Sequence, residues 1–377
     1  MNHTFTLTPW QKKQAALLYH FASMDYLKGL QTMVNNLVNG TVDPTLEKAK
    51  SQGRDAYLAD AGWGARDTSE NWGNNAWPFL KDLQLSVTKD VALRATETYG
   101  KSDVIHYFRG MDEYSMAWST PEEEDRFIAA QEAISVYARG IDRTFDNYDV
   151  TTNYWNDPIF AVVWAEEKAK FPLIPKFQVR TDVIGTTGKK PIRTGVYIPM
   201  DDPHGSLTFG WTGDGGCLSN SNTFSDAGLA LAKLTAMRPI WQDEAMFYKQ
   251  AMSAEHKQAF LASYKGTNIT TPDPSDAPSF FWDDAVTQRP CQWYYVEMVN
   301  GEFENVAELD AAVENSPAVF TARVEGGKPC PQTGWYFTPV QTNSRRYFSQ
   351  GTAMPSLSGD YGVTIWQWDA DQSTPRL

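Results

Sequence analysis

Cysteine is scarce in this chain. Three residues of 377, Cys217, Cys291 and Cys330, make an odd count in a long sequence. That argues against a disulfide scaffold and for a reducing compartment. No apolar run approaches the roughly 20 residues a membrane helix needs. The opening stretch MNHTFTLTPWQKKQ lacks the apolar centre of a secretory signal. The expectation is a soluble, cytoplasmic protein with no membrane partner. Histidine is scarce as well. His3, His20, His106, His204 and His256 form no HExxH pattern, and none lies near a CxxC. No metal or other cofactor is expected. A G-x-S-x-G elbow is also lacking. Basic residues are the minority, 33 against 46 acidic ones, for a net charge of −13. Such a field repels nucleic acid and anionic lipid and speeds the approach of basic partners.

Aromatic side chains are abundant instead: 14 Trp, 17 Tyr and 19 Phe. They bury much area per residue and serve thin cores and interfaces alike. The N-terminal half has helical spacing. Leu17, Phe21, Met24, Leu27, Leu30, Val34 and Leu37 recur at steps of three and four, which predicts one amphipathic helix. Thr8 and Pro9 start it, and Gly40 is the expected stop. A second helix opens at Thr120, with Pro121 in its first turn and Glu123 completing a capping box. Phe127, Ala130, Ile134, Tyr137, Ile141 and Phe145 form its buried stripe. The acids from Glu122 to Asp125 are accounted for by the helix dipole. Shorter helices are expected around 43–60, 75–99, 102–117 and 156–170. The stretch GWGARDTSENWGNN, 62–75, reads as an ordered loop.

After Pro172 the period changes. FQVRTDV and IRTGVYIP alternate around IGTTGKKP and predict a hairpin, with SLTFGWTG a third strand. Thr223 and Asp226 suggest another capping box, and 240–264 a longer helix. TPDPSDAPSFF, 271–281, has the composition of a linker. CQWYYVEMV, VFTARV, WYFTP, RRYFSQGTAMP and GVTIWQWD then read as strands, with a helix at FENVAELDAAVENS. The fold class is α+β: a helical domain 1–172, a central strand and helix block 173–270, and a small antiparallel β module 271–377.

Chemistry is thin. GTTGKK lacks phosphate-loop spacing, and in GDGGCLSNSN Asp214 would oppose an anion. His204 beside Asp201 and Asp202, with Cys217 following, reads as a polar turn. In GGKPCPQTGWYF the prolines fix the backbone on both sides of Cys330, which suits a small buried apolar plug. Arg345 and Arg346 are candidates to lie over Tyr347, Trp366 or Trp368.

Two blocks carry a resemblance. TGVYIPMDDPHGSLTFGWTGDGGCLSNSNTFSDAGLALAKL, 194–234, and GGKPCPQTGWYFTPVQTNSRRYFSQGTAMPSLSGDYGVTIWQWD, 326–369, are similar to the immunity proteins of bacterial polymorphic toxin systems, in the related families numbered 71 and 72. The second block carries the motif positions Cys330, Pro331, Gly334, Trp335, Arg345, Arg346, Trp366 and Trp368. The resemblance implies an inhibitor that binds a cognate toxin mole for mole, often one delivered by contact-dependent or type VI secretion. It implies no catalytic residues and no cofactor. An enzyme that reverses the toxin's modification, or an adaptor that loads a toxin for export, are the alternatives, and a homodimer stays open. Loops flanking one strand suggest Asp201, Asp202, Asp214 and Trp211 as toxin contacts. Trp63 and Trp72 are further candidates, as exposed aromatic anchors.

Overall fold

The structure is a computed structural model and describes residues 5–58, 64–145, 153–234, 240–267, 271–315, 323–338, 341, 344–357 and 364–369. Helices fill the N-terminal half: α1 (Pro9–Ala22), α2 (Met24–Asn35), α3 (Asp43–Ser51), α4 (Asp55–Leu58), α5 (Ser69–Asn75), α6 (Trp77–Arg94), α7 (Val104–Met111), α8 (Pro121–Phe145) and α9 (Asp157–Glu167). α1 begins as its capping residues predict. Thr8 accepts from the Gln11 N–H, and the Gln11 side chain accepts in return from the Thr8 N–H. The single helix expected through to Gly40 is broken at Ser23. Its extended backbone ends α1, and its hydroxyl accepts from the Tyr26 N–H to start α2. Gly40 stops nothing. It lies in a π-helical segment, Asn36–Val42, that runs straight into α3, the Asp43 N–H reaching the Val38 carbonyl.

α8 follows its signals more closely. The Glu123 carboxylate accepts from the Thr120 N–H at 3.0 Å, and Phe127, Ile134, Ile141 and Phe145 are buried. Of the loop expected over 62–75, residues 62 and 63 lie outside the described residues, Gly64–Asp67 is a 3-10 turn and the rest is mostly α5, because Thr68 caps it and Trp72 plugs into the core.

The chain then builds sheet with β1 (Leu173–Thr186), β2 (Gly195–Pro199), β3 (Thr208–Gly210), β4 (Ser221–Phe224), β5 (Val286–Arg289) and β6 (Gln292–Asn305). Between β4 and β5 lie α10 (Asp226–Leu234), α11 (Glu244–Ala251), α12 (Lys257–Ser263) and α13 (Ala277–Ala285), and α14 (Val306–Asn315) follows β6. The main sheet is antiparallel in the order β1-β6-β2-β3. The hairpin expected between β1 and β2 does not form, because β6 inserts between them. Val296 sits opposite both Val179 and Val196, a branched row across the inner face. β4 and β5 pair separately.

Three local expectations are corrected. Thr223 belongs to β4, and the cap of α10 is Ser225, whose hydroxyl accepts from the Gly228 N–H. The long helix over 240–264 is two, α11 and α12. The proline- and aspartate-rich linker is helical: Asp273 caps it, Pro274 opens its first turn, and Phe281 of α13 is buried.

The chain divides into two compact units, Met1–Leu231 with Pro239–Leu309, and Ala232–Arg238 with Asp310–Leu377. The division does not follow the boundaries expected at 172 and 270. β1 to β3 and β6 share one sheet, and that sheet packs on the helices through Leu17, Phe21, Ile141, Val196, Phe209 and Val296. The second unit has its own antiparallel sheet, β7 (Arg323–Glu325), β8 (Gly334–Phe337), β9 (Arg346–Phe348) and β10 (Ile365–Trp368), in the order β7-β10-β8-β9. Val324, Cys330, Tyr336, Phe348, Met354 and Trp366 form its core. Among the described residues no helix is long and apolar enough to cross a membrane.

Candidate functional site

The acidic loops singled out by the sequence lie at opposite ends of β3. At one end, Arg289 gathers two carboxylates. Its guanidinium donates to Asp201 at 3.0 and 3.2 Å and to Asp202 at 3.3 Å. Asp202 also accepts from the His204 N–H at 2.9 Å. The Asp201 side chain stays 67% exposed while that of Asp202 is 11% exposed. Arg289 holds the Asp201 carboxyl below its usual range. Burial pushes Asp202 upward, yet hydrogen bonds from Thr223, the His204 N–H and Arg289 outweigh it and leave the group lowered. Both are ionised at neutral pH, and Asp201 presents its charge from a fixed position.

At the other end Trp211 is buried, which corrects its reading as a contact residue. Its indole N–H donates to the Asp214 carbonyl at 2.9 Å. Asp214 itself is exposed at the loop tip, and its N–H donates to Thr98 Oγ1 at 3.3 Å. The tryptophan supports the loop that carries the aspartate.

Between these ends lies the outer face of the main sheet. Tyr197, Leu218 and Trp293 form a small second core there, with Tyr295 at its margin. Beyond Tyr295 the face is charged and open. Glu297 accepts from Arg180 at 3.0 Å and from Arg193 at 3.1 Å, and Arg180 also grips Asp182 at 2.8 and 2.9 Å. Arg193 lies 5.8 Å from the Tyr295 ring centre. Arginine and tyrosine are the residue types that anchor protein partners.

Burial works against thiolate formation at two of the three cysteines. Burial pushes Cys217 up from its ordinary value, and it pushes Cys291 up to about 12. Among the described residues no group of three or more His, Cys, Asp or Glu is placed to hold a metal ion.

Of the other expected anchors, Trp63 lies outside the described residues. Trp72 is buried, 5.4 Å from the Trp118 ring and edge-on to Phe127, so it is core and not an exposed contact. In the second unit Cys330 is buried as read, with its Sγ 3.0 Å from the Gln332 carbonyl that also receives the Tyr336 hydroxyl. Pro331 is exposed, and Gly334 opens β8. Arg345 lies 4.5 Å from the centre of the Trp335 ring, a partner outside those expected, and pairs with Asp369 at 2.5 Å. Arg346 points its charge from the exposed strand β9, Trp366 is buried, and Trp368 meets Tyr336 edge-on.

Two constellations escaped the sequence reading. Glu123 is 3% exposed and holds Arg54 at 2.6 Å and Lys48 at 2.8 Å. Asp157, at the start of α9, accepts from the indoles of Trp10 at 2.6 Å and Trp241 at 2.8 Å. Each is a carboxylate whose donors come from distant elements, and no local spacing announces that. Comparison with family models, curated proteins and solved structures yields no match.

Proposed function

We propose that this protein neutralises a cognate bacterial toxin by binding it mole for mole and covering its working surface. The toxin would be one delivered by a contact-dependent or type VI machine, and protection would act in the cytoplasm of the producing cell. The resemblance of the two blocks to immunity proteins motivates the reading. The observation that best supports it is the build of the acidic loops. Asp201 and Asp214 are exposed, while the carboxylate of the first is held by Arg289 and the backbone of the second by Trp211 and Thr98. A preorganised surface loses little freedom on docking.

Charge supports the same reading. The acidic excess lies wholly in the first unit, since acids and bases nearly balance in the second. A toxin with a basic cleft, such as a nuclease, would be drawn to that surface and held there. The raised Cys217 and Cys291 thiols count against a thiolate enzyme as the alternative.

The resemblance implies that the toxin is encoded beside this chain, so the test is co-purification with the product of the adjacent reading frame, followed by association rates at rising ionic strength. Reversing charge with Asp201→Lys and Asp214→Lys should slow association roughly tenfold at low salt. An association rate indifferent to both salt and these substitutions would remove charge steering from the account.

A further inference from the structure

The connection between α6 and α7 carries the two non-glycine residues with left-handed backbone found among the described residues, Glu97 at φ 55° and Asp103 at φ 54°. Such a conformation persists only where neighbours hold it, and it clusters at working sites. At Glu97 the holding contacts are visible. Its carbonyl accepts from the Gly213 N–H at 3.1 Å. Its carboxylate accepts from the Thr194 hydroxyl at 2.8 Å and from the Thr212 hydroxyl. The hydroxyl of the next residue, Thr98, takes the Asp214 N–H.

The approach is close enough to dictate residue type. A Cβ on Gly213 would lie 2.3 Å from the Glu97 carbonyl oxygen, and one on Gly216 would lie 1.9 Å from that of Trp211. Backbone cannot yield as a side chain can, so glycine is required at both. Asp214 is held by its N–H from one side and by its carbonyl from the other, while its exposed carboxylate accepts from the Gly215 N–H at 3.1 Å.

We infer that Glu97 is a positioning residue for partner binding: its strained backbone and its carboxylate brace the ends of β2 and β3 so that Asp214 meets a basic partner surface in a fixed pose. This rests on the neutralisation reading, because the partner is the toxin. The residue touches the loop and acts through it.

The experiment pairs Glu97→Gly, which relieves the backbone but deletes the carboxylate, with Glu97→Gln, which keeps shape and loses charge. Amide hydrogen exchange is followed in the full chain, and dissociation of the adjacent-frame product is timed in parallel. The expected result is exchange at least tenfold faster at Gly213 and Asp214 in Glu97→Gly, with β6 amides unchanged. Toxin dissociation should be about tenfold faster and association nearly unaltered, with Glu97→Gln between the two. Unchanged exchange at Gly213 and Asp214 overturns the brace. Faster exchange with unaltered dissociation overturns the positioning role and leaves neutralisation standing. Failure of the wild-type chain to bind the toxin overturns neutralisation itself, whatever the exchange shows.

Discussion

Tyr26 and Tyr137 clasp each other across α2 and α8. Each phenol donates to the other's backbone carbonyl, at 2.8 and 3.0 Å, and the rings stack 4.0 Å apart. The clasp fits because the next turn of α2 carries Gly29, where a Cβ would lie 2.2 Å from the Tyr137 hydroxyl. Tyr26→Phe and Tyr137→Phe should each cost roughly 0.5–1.5 kcal/mol, since the carbonyls keep their helical partners. Gly29→Ala should destabilise by up to about 2 kcal/mol, an overpacking penalty of about 1–3 kcal/mol less the gain in helix propensity of about 1 kcal/mol. Urea unfolding of the variants measures both terms, and Phe variants as stable as wild type would contradict the clasp.

Glu123 should make the helical part acid-sensitive. Hydrogen bonds from Arg54, from Lys48 and from the Thr120 N–H hold its carboxyl far below its ordinary value of 4.5 despite burial. A depressed acid contributes stability that is whole above its unfolded value and fades as pH falls below it. Glu123→Gln should cost about 3 kcal/mol at pH 7, because Arg54 is left half-buried without its partner. The loss should shrink as pH drops below 4.5. A penalty independent of pH would contradict this.

Asp90 carries the opposite sign. Burial pushes its carboxyl from 3.8 up to about 6, against the pull of Arg94 and with Asp103 and Asp142 adding to the rise. A raised acid keeps its proton in the folded state, so stability falls as pH climbs from about 4 to about 6 and is level beyond. Asp90→Asn should therefore stabilise the protein at pH 7 by on the order of 1 kcal/mol after solvent screening, and leave it unchanged at pH 3. Melting curves at the two pH values check it, and equal shifts at both would count against the assignment.

Thiol chemistry should be dispensable. With burial raising Cys217 and Cys291, the double variant Cys217→Ser, Cys291→Ser should protect producing cells as well as wild type, provided it folds. Alkylation by iodoacetamide at pH 7 should be slower than for a free thiol. Loss of protection with retained toxin binding would instead point to a catalytic cysteine.

Much of the helical half was legible because its signals are local. Thr8 with Gln11, and Thr120 with Glu123, fix helix starts within one turn of the chain. What failed was of two kinds. Proline and aspartate at 272–276 serve loops and helix starts alike, so composition suggested a linker where Asp273 caps a helix. Pairing across long separations leaves no local mark. Nothing between 177 and 199 says that Val296 will take the place beside Val179, and nothing in the acidic run names Arg54 and Lys48 as partners of Glu123. Tryptophan is ambiguous for a related reason. Trp72 and Trp211 have the composition of anchors and the environment of a core. Asp201 and Asp214 stayed exposed, yet their supports, Arg289 and Glu97, are far away in sequence.

The most direct measurement is a titration of the purified adjacent-frame toxin with this chain, following the toxin's activity at concentrations far above the dissociation constant. Activity should fall in a straight line and vanish at one chain per toxin, with no change on longer incubation. Full silencing by a small fraction of an equivalent, deepening with time, would mean turnover and would contradict binding as the means of protection.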